Sequence, residues 1–339
     1  MSSAPRNPSR RLRSPVLWLV AGIAALVLVN LAGNPGFLAV TLHDGHLYGT
    51  PVDIFTQGSR IMLLALGMTL VIATGGVDLS VGSVVAIAGT VCALLLRDGT
   101  SLALTLAAAV GVGAAAGTVN GTLVTRFGIQ PIVATLSLMV AGRGIAQLVG
   151  GGQVIIITQA GFEFLANGFL LGLPFAPLLV GALYLATHLF LRRTAVGLFL
   201  EAVGDNETAS RFAGLAAARV KLLAYVFCGA CAGITGVLYA ANVRSADANR
   251  AGENAELDAI FAVVVGGTAL TGGRFSIFGS FLGALLMQTL TVTMYYRGVP
   301  PAVAPVPKAL LIIGVSLLQS EKFRTQVTGL WRSGRKAAA

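Results

Sequence analysis

Charge is what this sequence has least of. Only 11% of its 339 residues are Asp, Glu, Lys or Arg, against about 25% in a soluble domain. So little charge cannot cover a water-facing surface, which excludes an ordinary soluble fold and makes lipid the solvent for most of the chain. Cysteine and histidine are equally scarce, at three each. Cys92, Cys228 and Cys231 all lie in apolar runs, and Cys228 and Cys231 have neither a second Cys pair nor a neighbouring His, so they read as small buried thiols. His43, Asp44 and His46 lie close together, but two histidines in a loop lack a defined third and fourth ligand, and no metal site is expected. No G-x-x-x-x-G-K-[ST] occurs, so the chain has no P-loop for ATP. No Ser–His–Asp or zinc-peptidase pattern occurs either, and His188 stands alone.

What fills the chain instead is apolar and small. Hydrophobic residues make up 55%, mean hydropathy is +0.83, and there are 43 glycines. Small residues let membrane helices approach closely. A bilayer core takes about 20 apolar residues per helix, and ten runs fit: 16–33, 60–76, 79–96, 101–124, 129–149, 174–191, 221–241, 257–272, 276–295 and 306–320. The runs are continuous and lack the alternation of outer-membrane strands. The expected fold is therefore all-α, a polytopic bundle of about ten transmembrane helices, with a membrane domain over 15–321 and basic tails at 1–14 and 322–339. The basic stretch Arg6–Arg13 ahead of an apolar run resembles a leader, but no small-residue cleavage site clearly follows, and a retained first helix is expected.

The net charge of +10 sits mostly in tails and short loops, which marks topology and not nucleic-acid binding. With the N-terminus in the cytoplasm and ten alternating spans, Arg60, Arg97, Arg244, Arg250, Arg297 and Lys308 fall outside and Arg143 falls within a span. Of 23 Lys and Arg, sixteen then remain inside, so both termini are expected to be cytoplasmic. One weak internal repeat shows: Thr74–Ser83 laid over Thr271–Ser280 matches at five of ten positions, although chance matching in a Gly-rich chain competes with it.

Several polar positions break the apolar pattern. Gly75, Gly76, Asp78 and Ser80 interrupt two runs, and irregular backbone at membrane depth needs protein or water to satisfy it. Asp78 reads as a cap on the following helix, as part of a gate, or as both. Gly272, Gly273 and Arg274 form the corresponding break in the second copy. Arg143, in mid-span, and Asn120 are pathway candidates, with structural anchoring the competing role for Arg143. Arg244, Asp247 and Asn249 mix donors and acceptors suited to a polyol or a docking receptor, and a solvated loop would look the same. Residues 192–220 form the longest inner connection, with the segment 198–216 inside it. There Asp205 or Asn206 can cap a short helix, Glu207 suits its N-terminus and Gly214 can end it. Such a helix is a rigid peg for a soluble partner, or an ordinary connector.

Three motifs carry a family resemblance. Gly67–Gly82, Glu201–Asn206 continuing to Gly214, and Val265–Arg274 resemble, in order, motifs of permease subunits of ribose/galactose-type sugar ABC importers; Arg244–Arg250 with the helix before it is most similar to the galactofuranose permease group. Ser210, Phe212 and Leu215 depart from the residues common there. The resemblance implies an inner-membrane import subunit, not an enzyme, that binds no cofactor itself. ATP and Mg would be used by a cytoplasmic P-loop ATPase partner. It further implies a second permease, identical or different, and an extracytoplasmic sugar-binding protein that largely sets selectivity. Glu201, Gly204, Asp205, Asn206, Glu207 and Gly214 would then couple ATPase to pathway. An ion-coupled secondary transporter of a small polar solute, with Asp78 as its acidic group, is the alternative; a membrane enzyme is a weaker third.

Overall fold

A computed structural model describes residues 8–300 and 303–319. Thirteen helices and three two-stranded hairpins or pairings make up the described chain. Seven helices are long and apolar enough to cross a membrane: α1 (Pro8–Gly33), α2 (Thr50–Ala73), α4 (Leu102–Thr125), α5 (Pro131–Gly150), α7 (Phe175–Arg193), α10 (Ala217–Val243) and α12 (Ile277–Tyr296). The apolar α3 (Val81–Arg97) is shorter, as are α6 (Ala160–Asn167), α8 (Val196–Asp205), α9 (Glu207–Phe212), α11 (Ala255–Val265) and α13 (Pro305–Gln319). Because α1 begins at Pro8, the second half of the expected 1–14 tail is helical; residues 1–7 and the expected 322–339 tail lie outside the described residues.

At the centre is α10, packed against α4, α3 and α2. Its closest neighbour is α4. Ala109, Gly113, Gly117 and Gly121 recur every four residues on α4 and face Tyr225, Gly229 and Gly233 on α10. A methyl group at Gly113 would overlap the Gly229 carbonyl, and one at Gly229 would overlap the Gly113 carbonyl. This is a small-residue seam, in which backbones touch because side chains are absent. On its other sides α10 sets Cys228 against Gly67 of α2, and Gly236 against Val85 and Gly89 of α3.

Two expected spans differ from what the chain forms. The run placed at 60–76 is the end of a helix that begins at Thr50, behind Gly49 and with Pro51 in its first turn. Its first eleven residues, Gln57 and Arg60 included, are too polar for a hydropathy window because one face lines a cavity. The run placed at 257–272 holds only α11, whose 11 residues reach about 16 Å at 1.5 Å per residue, half a bilayer. The backbone then leaves helical geometry through Gly267, Gly272 and Gly273, with φ of +93°, +87° and +91°. Protein supplies the bonds that lipid cannot: Gly273 N–H donates to the Ala73 carbonyl at 2.9 Å, and Thr268 N–H to Val263 at 3.2 Å.

At the opposite end, the hairpin β1 (Thr41–His43)–β2 (His46–Tyr48) precedes α2, and a second hairpin, Phe169–Leu170 with Leu173–Pro174, precedes α7. Leu47 N–H donates to the Gly172 carbonyl at 3.0 Å, joining them. His46 stacks on Phe169 at 4.4 Å, and His43 lies 3.0 Å from Asp44 on the exposed turn.

Candidate functional site

Three sequence motifs separated by nearly 200 residues converge on one point. The end of α2, the end of α8 and the irregular segment after α11 meet at Gly75, Gly204, Gly272 and Gly273. Gly204 has no room for a side chain: a Cβ there would overlap the Ala73 carbonyl and the Gly273 nitrogen. A Cβ on Gly272 would stand 2.7 Å from Gly75 N and 2.9 Å from Gly204 O, and one on Gly273 would stand 3.6 Å from Asp205 Cα. The two copies of the weak repeat, 74–83 and 271–280, are thus the two breaks, in contact with each other and with α8. Arg274 beside them is exposed and Glu201 is half-buried.

Past Gly204 the chain builds a peg. Asn206 Oδ1 accepts from Ala209 N–H at 2.9 Å, so Asn206 and not Asp205 caps α9. Gly214, with φ of +85°, ends the turn. Glu207 accepts from Arg211 at 2.5 Å and from Lys221 in the first turns of α10. Burial alone would raise the Glu207 carboxyl, but Lys221 and Arg211 outweigh it and hold the group below its ordinary value. That stabilisation is complete above the ordinary glutamate range and is lost as pH falls through the lowered value, so α9 is tied down at neutral pH. Phe212, at the end of α9, is 89% exposed.

The first break is held rigidly. Asp78 is buried, and its Oδ1 accepts from Ser80 N–H at 2.9 Å, Ser80 Oγ at 2.7 Å and Asn120 Nδ2 at 3.2 Å. The cap position of α3 is Ser80 itself, and Asp78 forms the turn leading into it. Asn120 also donates to Ser80 Oγ at 2.8 Å, fastening α4 to the break. Arg143 donates to the carbonyls of Ala248 at 3.0 Å and Ala251 at 2.6 Å, tying α5 to the turn before α11. In that turn Asp247 accepts from Asn249 N–H at 2.9 Å, Gln147 donates to Asn249 Oδ1 at 2.6 Å, and Arg244 pairs with Glu163. Each of these residues is engaged within the chain.

A cavity of about 390 Å³ opens at the other end of the bundle, between the first half of α2, the last halves of α10 and α12, and the starts of α11 and α13. Asn120 and Arg143, expected on a pathway, are not among its lining residues. Arg60 is, together with Gln57, Tyr239, Asp258, Gln288 and Lys308. The sequence held a signal for two of them: Gln288 is an amide inside an apolar run, and Arg60 follows Gln57 at helical spacing.

Residues 50–316 match the family described as "Branched-chain amino acid transport system / permease component". The chain is 45% identical to the galactofuranose transporter permease protein YtfT of Escherichia coli K12, over 96% of this chain and 95% of that one. It is 36% identical to the fructose import permease protein FruF of Bifidobacterium longum, over 92% and 89%. It is 34% identical to the ribose import permease protein RbsC of Escherichia coli K12, over 88% and 92%. No solved structure matches.

Proposed function

The chain belongs to the branched-chain amino acid transport system / permease component family, and from that premise we propose that it forms one half of the pathway of an ATP-driven monosaccharide importer. As a member it is a multi-pass membrane permease subunit, and the three relatives above are named for sugars. Energy would enter from a separate P-loop ATPase that hydrolyses MgATP against α8 and α9. A second permease and an extracytoplasmic sugar-binding protein would complete the assembly, with the α8–α9 end in the cytoplasm.

One observation carries the reading: Gly204 is seated against Ala73 and Gly273 without space for a methyl group. A push on the peg therefore meets backbone, and passes to α2 and to the segment after α11 instead of being absorbed by side chains. Glu201, Gly204, Asp205, Asn206, Glu207 and Gly214 would form the coupling element, and Gly75, Gly76, Asp78, Ser80, Gly272, Gly273 and Arg274 the gate it moves. Asn120 and Arg143 would brace that gate and the turn before α11. Arg244, Asp247 and Asn249 stand in the loop that a receptor would meet. Ion coupling through Asp78 has little support, since that carboxylate is enclosed by Ser80 and Asn120 and does not line the cavity.

The test is Glu207→Lys. The introduced ammonium would repel both Lys221 and Arg211, the two cations that Glu207 now holds, releasing α9 while the spans stay intact. Sugar uptake should fall by about tenfold or more at unchanged membrane level, and wild-type uptake should survive a proton uncoupler while ATP is supplied. Normal uptake in the variant, or uncoupler-sensitive uptake with ATP present, would contradict the proposal.

A further inference from the structure

We infer that the cavity at the end opposite α9 is a transit site for the solute and that it takes a polyhydroxylated molecule, with Arg60 reading its hydroxyls; this rests on the importer reading. At about 390 Å³ it falls in the range of small-molecule clefts, about 300–1,000 Å³.

The walls match that class. Arg60, ten residues into α2, lies with its guanidinium 5.3 Å from the centre of the Tyr239 ring, a cation–π placement that fixes the fork. It donates to the Gln57 side chain and makes no ion pair among the described residues. It is thus a half-buried donor with capacity to spare beside an aromatic face. Gln288 and Thr291 supply amide and hydroxyl groups from α12. Asp258 accepts from Lys308 at 2.7 and 2.8 Å, which joins α11 to α13 at the edge and neutralises both charges.

The charges on the walls nearly balance. Lys308 offsets Asp258, and Arg250 stands on the same walls as Glu253, which leaves the Arg60 charge unmatched. A hydroxyl donates and accepts at once, so it can use Arg60, Gln57 and Gln288 with no charge to place.

The cavity is also wired to the coupling junction. Arg60 and Ala73 are 13 residues apart on one helix, about 20 Å. Asp258 stands on α11, whose following segment ends at Gly272 and Gly273. Two of the elements that flank the cavity, α2 and α11, therefore lead to the points that Gly204 touches. Movement at the peg would change the cavity's shape.

Two measurements on the complete importer in proteoliposomes test this. In the first, Thr291→Cys is labelled with a small hydrophilic thiol reagent, the native cysteines being buried. Whichever of galactose, fructose and ribose is transported should, at saturating concentration, slow labelling by about threefold or more, whereas tetramethylurea, a neutral solute without hydroxyls, should not. In the second, Arg60→Met should lose about tenfold in sugar moved per ATP hydrolysed while receptor-stimulated hydrolysis persists, and Arg60→Lys should recover part of it. No protection by a transported sugar, equal protection by tetramethylurea, or wild-type transport per ATP in Arg60→Met would overturn the inference. If Arg60→Met fails to insert, labelling of the Thr291→Cys protein decides. Failure of the importer to move any sugar would instead remove the reading on which the site rests.

Discussion

Gly204→Val is expected to abolish sugar uptake while leaving ATP hydrolysis by the assembled importer largely intact. A valine side chain there would overlap the Ala73 carbonyl and the Gly273 nitrogen, both backbone atoms already joined in a 2.9 Å hydrogen bond. Neither can turn away as a side chain would. Overpacking usually costs about 1–3 kcal/mol, and the inexpensive relief is for α8 to lift off the end of α2, because α8 lies outside the spans. The peg would still meet its partner, but its displacement would no longer reach the breaks at 74–80 and 266–276. Uptake should drop by at least about tenfold, measured in proteoliposomes beside the rate of ATP hydrolysis. Coupled transport at the wild-type ratio would remove Gly204 from the path of force.

Gly113→Leu and Gly229→Leu should instead remove the folded protein from the membrane. In lipid no water-driven force presses two helices together, so α4 and α10 hold by close packing of their backbones. A leucine on either side places a bulky branched side chain where the opposite carbonyl stands. Cys228 packs against α2 and Gly236 against α3, so α10 cannot retreat without opening those contacts too. The amount of full-length protein extracted as a single species in mild detergent should fall severalfold. Gly111→Leu, two residues along the same helix with nothing within 4 Å of its Cβ position, should be extracted normally. Equal behaviour of Gly111→Leu and Gly113→Leu would show that the seam does not hold the bundle.

The contrast between those neighbours shows what could be read in the sequence. Apolar runs expose themselves, so α4, α5, α7, α10 and α12 were legible within a few residues, as was the spanning part of α1. The first half of α2 was not, because Gln57 and Arg60 face a cavity and dilute the hydropathy that marks a span. Residues 257–272 misled in the opposite direction: an apolar composition hid a half-helix and a glycine-rich irregular segment. Local chemistry was also legible, as the Asn206 cap and the Gly214 stop illustrate. Contacts at long range were not. Nothing in the chain order says that Gly204 touches Ala73, or that Asn120 and Arg143 spend their donors on Ser80, Asp78 and two backbone carbonyls. Polar residues in mid-span suggest a pathway, but here these two hold helices and breaks together, and the cavity draws several of its lining residues, Gln57, Arg60 and Glu253 among them, from what hydropathy assigned to span ends and loops.

The entry point of energy is tested most simply at Phe212, the 89% exposed tip of α9, by replacing it with a photoreactive phenylalanine analogue and irradiating the native membrane. One dominant adduct is expected, with a P-loop ATPase, and it should be lost in Glu207→Lys. A protein that cross-links to no ATPase from this position, yet imports sugar normally, would contradict the claim that energy enters through α8 and α9.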